Sequence, residues 1–390
     1  MPRLLHLSDV HLGARHPGLG ASAPKLRERQ VAALRRAIDA GIEARVDVTL
    51  VAGDLFDSNA QPRRMVEAAA IELRRLTERG IRVVLIPGIH DSWEGGSIYR
   101  VFDLRLMAGL SEGSDLLTVL TPNRTEVLFR DLDLLVYGRV ATTRRVGRSP
   151  LADFTVLADD RARWRVAMVH GTIVGAADDD REDVRFTAEE IAASGVDYLA
   201  IGHAHGWHTG RSGGTVWTAP GSVEALEPED EDAGRVAIVE LAERSGRKSV
   251  EVSEAVVGRT RFSSLTLDAA EFVTPAALVT RLRTLADPDV VLDVTLRGVA
   301  QAWLDVDPAA LSAGLADAFL AVRLRDDSQA AAPGATDAAP GSFERTFQDV
   351  LATHIASADA AHDARTAADA RAAVHLGRQL LADPRQAGLI

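Results

Sequence analysis

The chain has 390 residues, a formal net charge of −12, 46% hydrophobic residues and no cysteine. Disulfides, cysteine-based zinc sites and thiol chemistry are thereby excluded, and no apolar run reaches the ~18–20 residues of a membrane span. The acidic balance argues against broad nucleic-acid binding driven by phosphate contacts, although local basic patches are compatible with it. The N-terminus enters a strand by residue 3 without a signal-peptide pattern, so the expectation is a cytoplasmic protein away from membranes, of roughly two or three domains.

Residues 4–7 form a short apolar run and predict a buried strand. It ends in Asp9-Val10-His11, whose polar side chains share a face if the chain stays extended. Residues 25–44 carry Leu26, Val31, Leu34, Ile38 and Ile42 at helical spacing. Strand 48–51 follows and ends in Gly53-Asp54-Leu55-Phe56-Asp57. A second helix is predicted over 62–79, with Pro62 at its start and Met65, Ala69, Leu73 and Leu76 on one face. Strand 83–86 then runs into Gly88-Ile89-His90-Asp91. This alternation predicts parallel pairing with helical cover. Residues 92–109 read as a loop and helix beside the third cluster, with Trp93, Ser97 and Tyr99 as candidates to line a substrate path.

From 116 to 140 the pattern alternates like a hairpin. Strands 166–169 and 198–201 end in His170-Gly171 and Gly202-His203-Ala204-His205. Residues 214–255 alternate again and predict a second sheet packed on the first, with acidic 227–232 as a loop. Arg139, Arg144, Arg145 and Arg148, then Arg161, Arg163 and Arg165, read either as a solvated loop or as contacts to a nucleic-acid backbone. Beyond Arg259, a strand at 264–267, a helix at 275–285, a strand at 290–296, a helix at 308–320 and a strand at 321–325 predict a small α/β module over 257–327. Residues 328–342, rich in Ala, Pro, Gly and Asp, read as a flexible linker. The following 343–390 segment is largely helical, with Phe343, Phe347, Val350, Leu351 and Ile355 on one stripe. Such a stripe packs on its own protein or docks in a partner's groove.

The five polar clusters each end an apolar run, and ligands gather outside the carboxyl ends of strands in open α/β sheets. Asp and Gly are common in turns, but turn chemistry does not explain histidine in four of the five clusters. A single metal site built from strand-end loops does. Mixed imidazole and carboxylate donors suit Mn²⁺, Fe²⁺ or Zn²⁺ better than Ca²⁺ or Mg²⁺. Gly53, Gly88, Gly171 and Gly202 permit the close approaches such a rim needs. His6, inside a strand, reads as a core residue. His16 and His208, close to motif residues in sequence, read as surface-loop residues or as lining of the cleft, and His354, His362 and His375 as solvated.

The clusters resemble the D-x-H, G-D-x-x-D, G-N-H-D/E, H and G-H-x-H pattern of the calcineurin-like metallophosphoesterases. Leu7-Ser8-Asp9-Val10-His11-Leu12-Gly13, Gly53-Asp54-Leu55-Phe56-Asp57-Ser58 and Pro220-Gly221-Ser222 resemble the bacterial SbcD-type DNA repair exonucleases, over about residues 1–240. The resemblance implies a four-layer α/β/β/α sandwich over 1–256, a capping domain over 257–327 that helps select DNA, and a helical tail over 343–390. It implies two divalent ions, Mn²⁺ before Fe²⁺ or Zn²⁺. Asp9, His11 and His205 would hold the first, Asp54 would bridge, and His170 and His203 would hold the second. His90 would stand beside the scissile phosphate, with Asp57 orienting it. The implied activity is hydrolysis of DNA phosphodiester bonds, as an exonuclease with endonuclease action also open. The implied partners are DNA, an SbcC-like coiled-coil ATPase and a second copy of the chain. One position departs from the pattern: Ile89 stands where the family has an asparagine ligand, which implies a weakened second metal position. Two other readings stay open, a phosphodiesterase on small nucleotides and a DNA-binding scaffold with little or no catalysis.

Overall fold

A computed structural model describes residues 1–142, 148–156, 159–174, 184–300, 304–330, 342–361, 363, 365–367, 369–371, 373–374 and 377. Arg144, Arg145, His362, His375 and most of the linker segment lie outside the described residues. The chain divides into two units, Met1–Phe262 and Ser263–Ile390.

In the first unit the strands are β1 (Arg3–Leu7), β2 (Val48–Ala52), β3 (Arg82–Ile86), β4 (Leu117–Val119), β5 (Glu126–Phe129), β6 (Leu134–Gly138), β7 (Trp164–His170), β8 (Thr172–Ile173), β9 (Arg185–Phe186), β10 (Tyr198–Gly202), β11 (His208–Ser212), β12 (Thr215–Ala219), β13 (Arg235–Arg244) and β14 (Arg247–Val256). The helices are α1 (Ala23–Glu43), α2 (Arg63–Thr77), the single turns α3 (Ile98–Val101) and α4 (Leu104–Met107), and α5 (Ala188–Ser194). They build two mixed sheets, ordered β14-β13-β1-β2-β3-β4 and β11-β12-β10-β7-β6-β5. Strands β1 to β4 run parallel, as do β6, β7, β10 and β12.

Period-two alternation on β1 explains the layering. Leu5 and Leu7 face α1 and α2, where they join Leu34, Ile38, Leu73 and Leu76. Leu4 faces the other way and joins Leu50, Val84, Val166, Met168 and Tyr198 between the sheets. His6 shares that inner face and meets the Tyr198 hydroxyl at 2.8 Å, the core role expected of it. On the far side of the second sheet, Leu135, Ala167, Val169 and Leu199 pack with Ile191 of α5.

Two expectations fail here. β4 is not part of a hairpin but extends the first sheet, parallel to β3; only β5 and β6 pair antiparallel. Of residues 214–255, only the first strand enters the second sheet. β13 returns to the first and lies antiparallel beside β1. The reason is burial on both faces: Val236 joins the helix-side core, while Ala237, Val239 and Leu241 fill the space between the sheets. Alternation reveals a strand but does not choose its neighbour.

The second unit contains β15 (Arg261–Asp268, starting two residues before the division), α6 (Pro275–Arg283), β16 (Asp287–Arg297), β17 (Val299–Ala300), α7 (Pro308–Gly314), β18 (Phe319–Asp326), β19 (Gln329–Ala330) and α8 (Phe343–Ala360). Thr274 and Asp307 cap α6 and α7 through their side chains. Leu278, Leu282, Leu292, Val294, Leu311 and Phe319 form this unit's own core. β17 pairs parallel with β19, so residues 329 and 330 lie in a strand rather than in the expected linker. Among the described residues no helix is long and apolar enough to cross a membrane.

Candidate metal centre

β1, β2, β3, β7 and β10 each deliver polar residues at the carboxyl end. The loops after β1 and β2 are zipped together by main-chain bonds. Asp9 N–H donates to the Gly53 carbonyl at 3.2 Å, His11 N–H to that of Asp54 at 3.0 Å, and Leu12 N–H to that of Leu55 at 3.0 Å. Asp9, His11 and Asp54 have φ of 51°, 48° and 50°, and His203 has 99°. Asp9 and His11 therefore converge through left-handed turns, not by sharing one face of an extended chain. Left-handed non-glycine residues cost energy and cluster at functional sites.

The two sheets are tied at the same rim. His203 N–H donates to both oxygens of Asp9, at 2.9 and 3.1 Å. His170 Nδ1 donates to the Ala52 carbonyl at 2.9 Å. Gly53 has φ 93°, and a Cβ there would lie 2.2 Å from His170 Nδ1, so only glycine allows this approach.

Two groups of donors result. Asp9, His11 and His205 bring one ligand atom each within 4.8 Å of one another, and so do Asp9, Asp54 and His170. His170 Nε2 lies 3.1 Å and His11 Nε2 3.8 Å from Asp54 Oδ2. His203 stands beside His170, ring centroids 5.3 Å apart, but joins neither group. A third cluster, His11, Asp57 and His90, opens toward solvent.

The electrostatics are those of a cation site. His11 Nε2 and His170 Nε2 are buried facing the Asp54 carboxylate without a well-aligned hydrogen bond, although buried polar atoms are normally satisfied. Burial pushes the His11 imidazole down, but Asp57, Asp54 and Asp9 outweigh it and raise it to about 9. His170 is likewise lowered by burial but raised to about 10, chiefly by Asp54. Burial favours the protonated form of Asp54, yet His170 and His11 hold its carboxyl well below the usual range. Carboxylates facing orphaned imidazole nitrogens fit divalent transition metals.

His90 donates its N–H to Asp54 Oδ1 at 2.8 Å, and its Nδ1 donates to the main-chain carbonyl of Asp57 at 3.1 Å. Asp57 thus contacts His90 through its carbonyl; its carboxylate instead lies 3.5 Å from His11 Nδ1. Asp91 is fully buried. It accepts from Gly88 N–H at 2.7 Å, from Phe56 N–H at 3.1 Å and from the Tyr99 hydroxyl. Burial and the Asp54 charge push its carboxyl up to about 6.

Sequence reasoning missed one residue. Asp230 sits in the acidic loop, and its Oδ1 lies 3.1 Å from His205 Nδ1. No spacing signal marks it, since 25 residues separate the pair. Ile89 is 8% exposed and packs with Ala141 and Val184, offering an apolar wall and no donor.

Of the substrate-path candidates, Ser97 and Tyr99 are buried, and Tyr99 is committed to Asp91. Trp93 lies under the Arg100 guanidinium, 5.0 Å from its ring centre. Trp93, Arg100, Arg105 and Arg124 border a hollow of about 250 Å³.

The arginine run is locally engaged. Arg139 donates to the Pro150 carbonyl at 2.6 Å, Arg148 pairs with Asp153, and Arg161 forks onto Glu126. Arg163 pairs with Glu243. Arg165 enters β7 at the opposite end from His170, about 16 Å away at strand rise.

Residues 2–207 match the model for the calcineurin-like phosphoesterases. DNA double-strand break repair protein Mre11 of Aeropyrum pernix is 27% identical over 237 residues, 59% of this chain and 55% of that protein. Mre11 of Haloferax volcanii is 27% identical over 330 residues, 84% of this chain and 68% of that protein. The uncharacterized metallophosphoesterase YhaO of Bacillus subtilis is 27% identical over 206 residues, 52% of this chain and 48% of that protein. The chain spans about half the length of the Aeropyrum and Bacillus relatives.

Proposed function

Since this chain belongs to the calcineurin-like phosphoesterase family, we propose that it is a metal-dependent DNA phosphodiesterase of exonuclease type, acting in DNA end processing and repair. The observation that carries this reading is the pair of donor groups sharing Asp9, with exposed His90 beside them. The relatives named as double-strand break repair proteins support DNA as the substrate.

Asp9, His11 and His205 would hold one ion, Asp54 would bridge, and His170 with His203 would hold a second; the mixed donors suit Mn²⁺, Fe²⁺ or Zn²⁺, and the family resemblance puts Mn²⁺ first. Divalent ions held there would supply the Lewis acidity that makes water a nucleophile and offsets charge on the phosphoryl oxygens. The chain's own part is to hold the scissile phosphate within reach of His90. With Nδ1 fixed by the Asp57 carbonyl, Nε2 is left for substrate, and the imidazolium form donates the proton that the departing sugar oxygen needs. In this reading the first unit is the four-layer nuclease sandwich and the second supplies the capping module. Exposed Phe343 and Val350 on α8 support a helix that docks on a coiled-coil ATPase. Exposed Ile71, Val101 and Leu106 on α2, α3 and α4 support pairing of two chains.

The test is Mn²⁺-dependent cleavage of end-labelled duplex and single-stranded DNA, with His90→Ala purified in parallel. Cleavage by the wild type, lost in the variant, is expected. Equal cleavage by both proteins refutes the role of His90. Ile89 favours a second reading, a DNA-binding scaffold with one competent metal position; DNA binding without cleavage would carry it.

A further inference from the structure

We propose that Asp230 is the positioning residue of His205, and that it makes the Asp9–His11–His205 group the tighter of the two metal positions. The inference rests on the metal-site reading above and concerns how this chain grades its two donor groups.

The Asp230 side chain is 9% exposed, and both of its oxygens are committed. Oδ1 lies 3.1 Å from His205 Nδ1. Oδ2 accepts from Leu226 N–H at 2.9 Å and Glu227 N–H at 3.1 Å. The carboxylate cannot turn away from the imidazole without releasing the loop. The main chain of His205 is pinned as well: its carbonyl accepts from Ser222 N–H at 3.0 Å. Gly221, with φ 85°, lets this loop approach, since a Cβ there would lie 2.3 Å from the same carbonyl oxygen.

A carboxylate behind Nδ1 keeps the proton on Nδ1 and the lone pair on Nε2. It also strengthens the imidazole as a ligand, because charge drawn toward a metal is returned from the carboxylate. His11 has the same arrangement, its Nδ1 3.5 Å from Asp57 Oδ1. His170 does not: its Nδ1 faces the uncharged Ala52 carbonyl at 2.9 Å. Both imidazoles of one donor group therefore have a carboxylate behind them, whereas His170 of the other has a neutral oxygen. The first group should fill first. Its filling should also tighten the Leu226–Asp230 loop, which hangs on the same carboxylate.

The test uses the full chain stripped of metal and titrated with MnCl₂, free Mn²⁺ being read by electron paramagnetic resonance. Amide hydrogen exchange at Leu226 and Glu227 is followed in parallel. The wild type should show two unequal steps and gain protection at both amides on the first. Asp230→Asn keeps an oxygen for the loop amides but presents an N–H₂ to His205, which moves the imidazole proton to Nε2. It should weaken the tighter step about 10–100-fold, leave the weaker step in place, and uncouple amide protection from Mn²⁺. A merely structural Asp230 predicts unchanged Mn²⁺ binding in Asp230→Asn, and that result overturns the proposal, as does movement of the weaker step alone. A wild-type chain that takes up no Mn²⁺ overturns the metal-site reading itself.

Discussion

Replacing Ile89 by asparagine puts a donor where the resemblance expects one, and its cost and gain can be worked separately. Ile89 is 8% exposed against Ala141 and Val184. Losing a buried isoleucine side chain costs about 1.5–3 kcal/mol. An amide left against that wall without partners adds about 1–3 kcal/mol. Metal-free Ile89→Asn should thus be roughly 2.5–6 kcal/mol less stable, a fall in thermal midpoint of roughly 5–24 °C for a domain of this size. If the amide oxygen completes the second metal position, Mn²⁺ affinity there should rise about 10–100-fold, which is roughly 1.4–2.8 kcal/mol. Saturating Mn²⁺ should then recover about half of the lost stability, and DNA cleavage should quicken. Differential scanning fluorimetry with and without Mn²⁺, beside the Mn²⁺ titration, reads both terms. A variant destabilised equally with and without metal, with an unchanged titration, would refute the reasoning and leave Ile89 as wall alone.

Two further outcomes follow from the same geometry. Burial lowers the His6 imidazole to about 3 in the folded chain, against 6.5 for the free side chain. A base with a depressed folded value contributes stability above pH 6.5 and loses it as pH falls toward 3. At pH 5 the loss is about 2 kcal/mol; urea titrations at pH 7 and pH 5 should show this loss in the wild type and not in His6→Gln, and an identical pH dependence in both would refute it. Gly53→Ala places a methyl 2.2 Å from His170 Nδ1 at a φ of 93°. Isothermal titration with Mn²⁺ should show uptake reduced more than tenfold, since that contact sets the His170 ring; wild-type uptake would show that the loop yields instead.

The donors were legible in the sequence because each terminates an apolar run, and parallel strands bring such ends together. Asp9, His11, Asp54, His170 and His205 needed only that rule and are found in the two donor groups. Their backbone was not legible: nothing in Asp9-Val10-His11 announces two left-handed residues, because bonds to Gly53 and Asp54 impose them. Asp230 was hidden for another reason. Acidic loop residues are ordinarily solvated, and only the fold of residues 226–230 turns this one inward. The return of β13 to the first sheet was hidden too, since alternating strands state which side is apolar and not which strand lies alongside.

That return also sets the order in which the molecule can be completed. β1 opens the chain, yet it sits between β2 and β13, and Arg3 meets Glu240 across 237 residues of sequence. Until β13 emerges from the ribosome, β1 is an open sheet edge beside its cradle of donors. Contacts of such long separation form late. The Ser222 and Gly234 bonds behind His205 arrive with the same late segment: Ser222 holds the His205 carbonyl, and the Ser222 carbonyl in turn accepts from Gly234 N–H at 2.7 Å. A half-synthesised chain therefore carries Asp9, His11, Asp54 and His90 without a finished centre. Biosynthesis therefore leaves the candidate metal centre incomplete until the whole first unit is made.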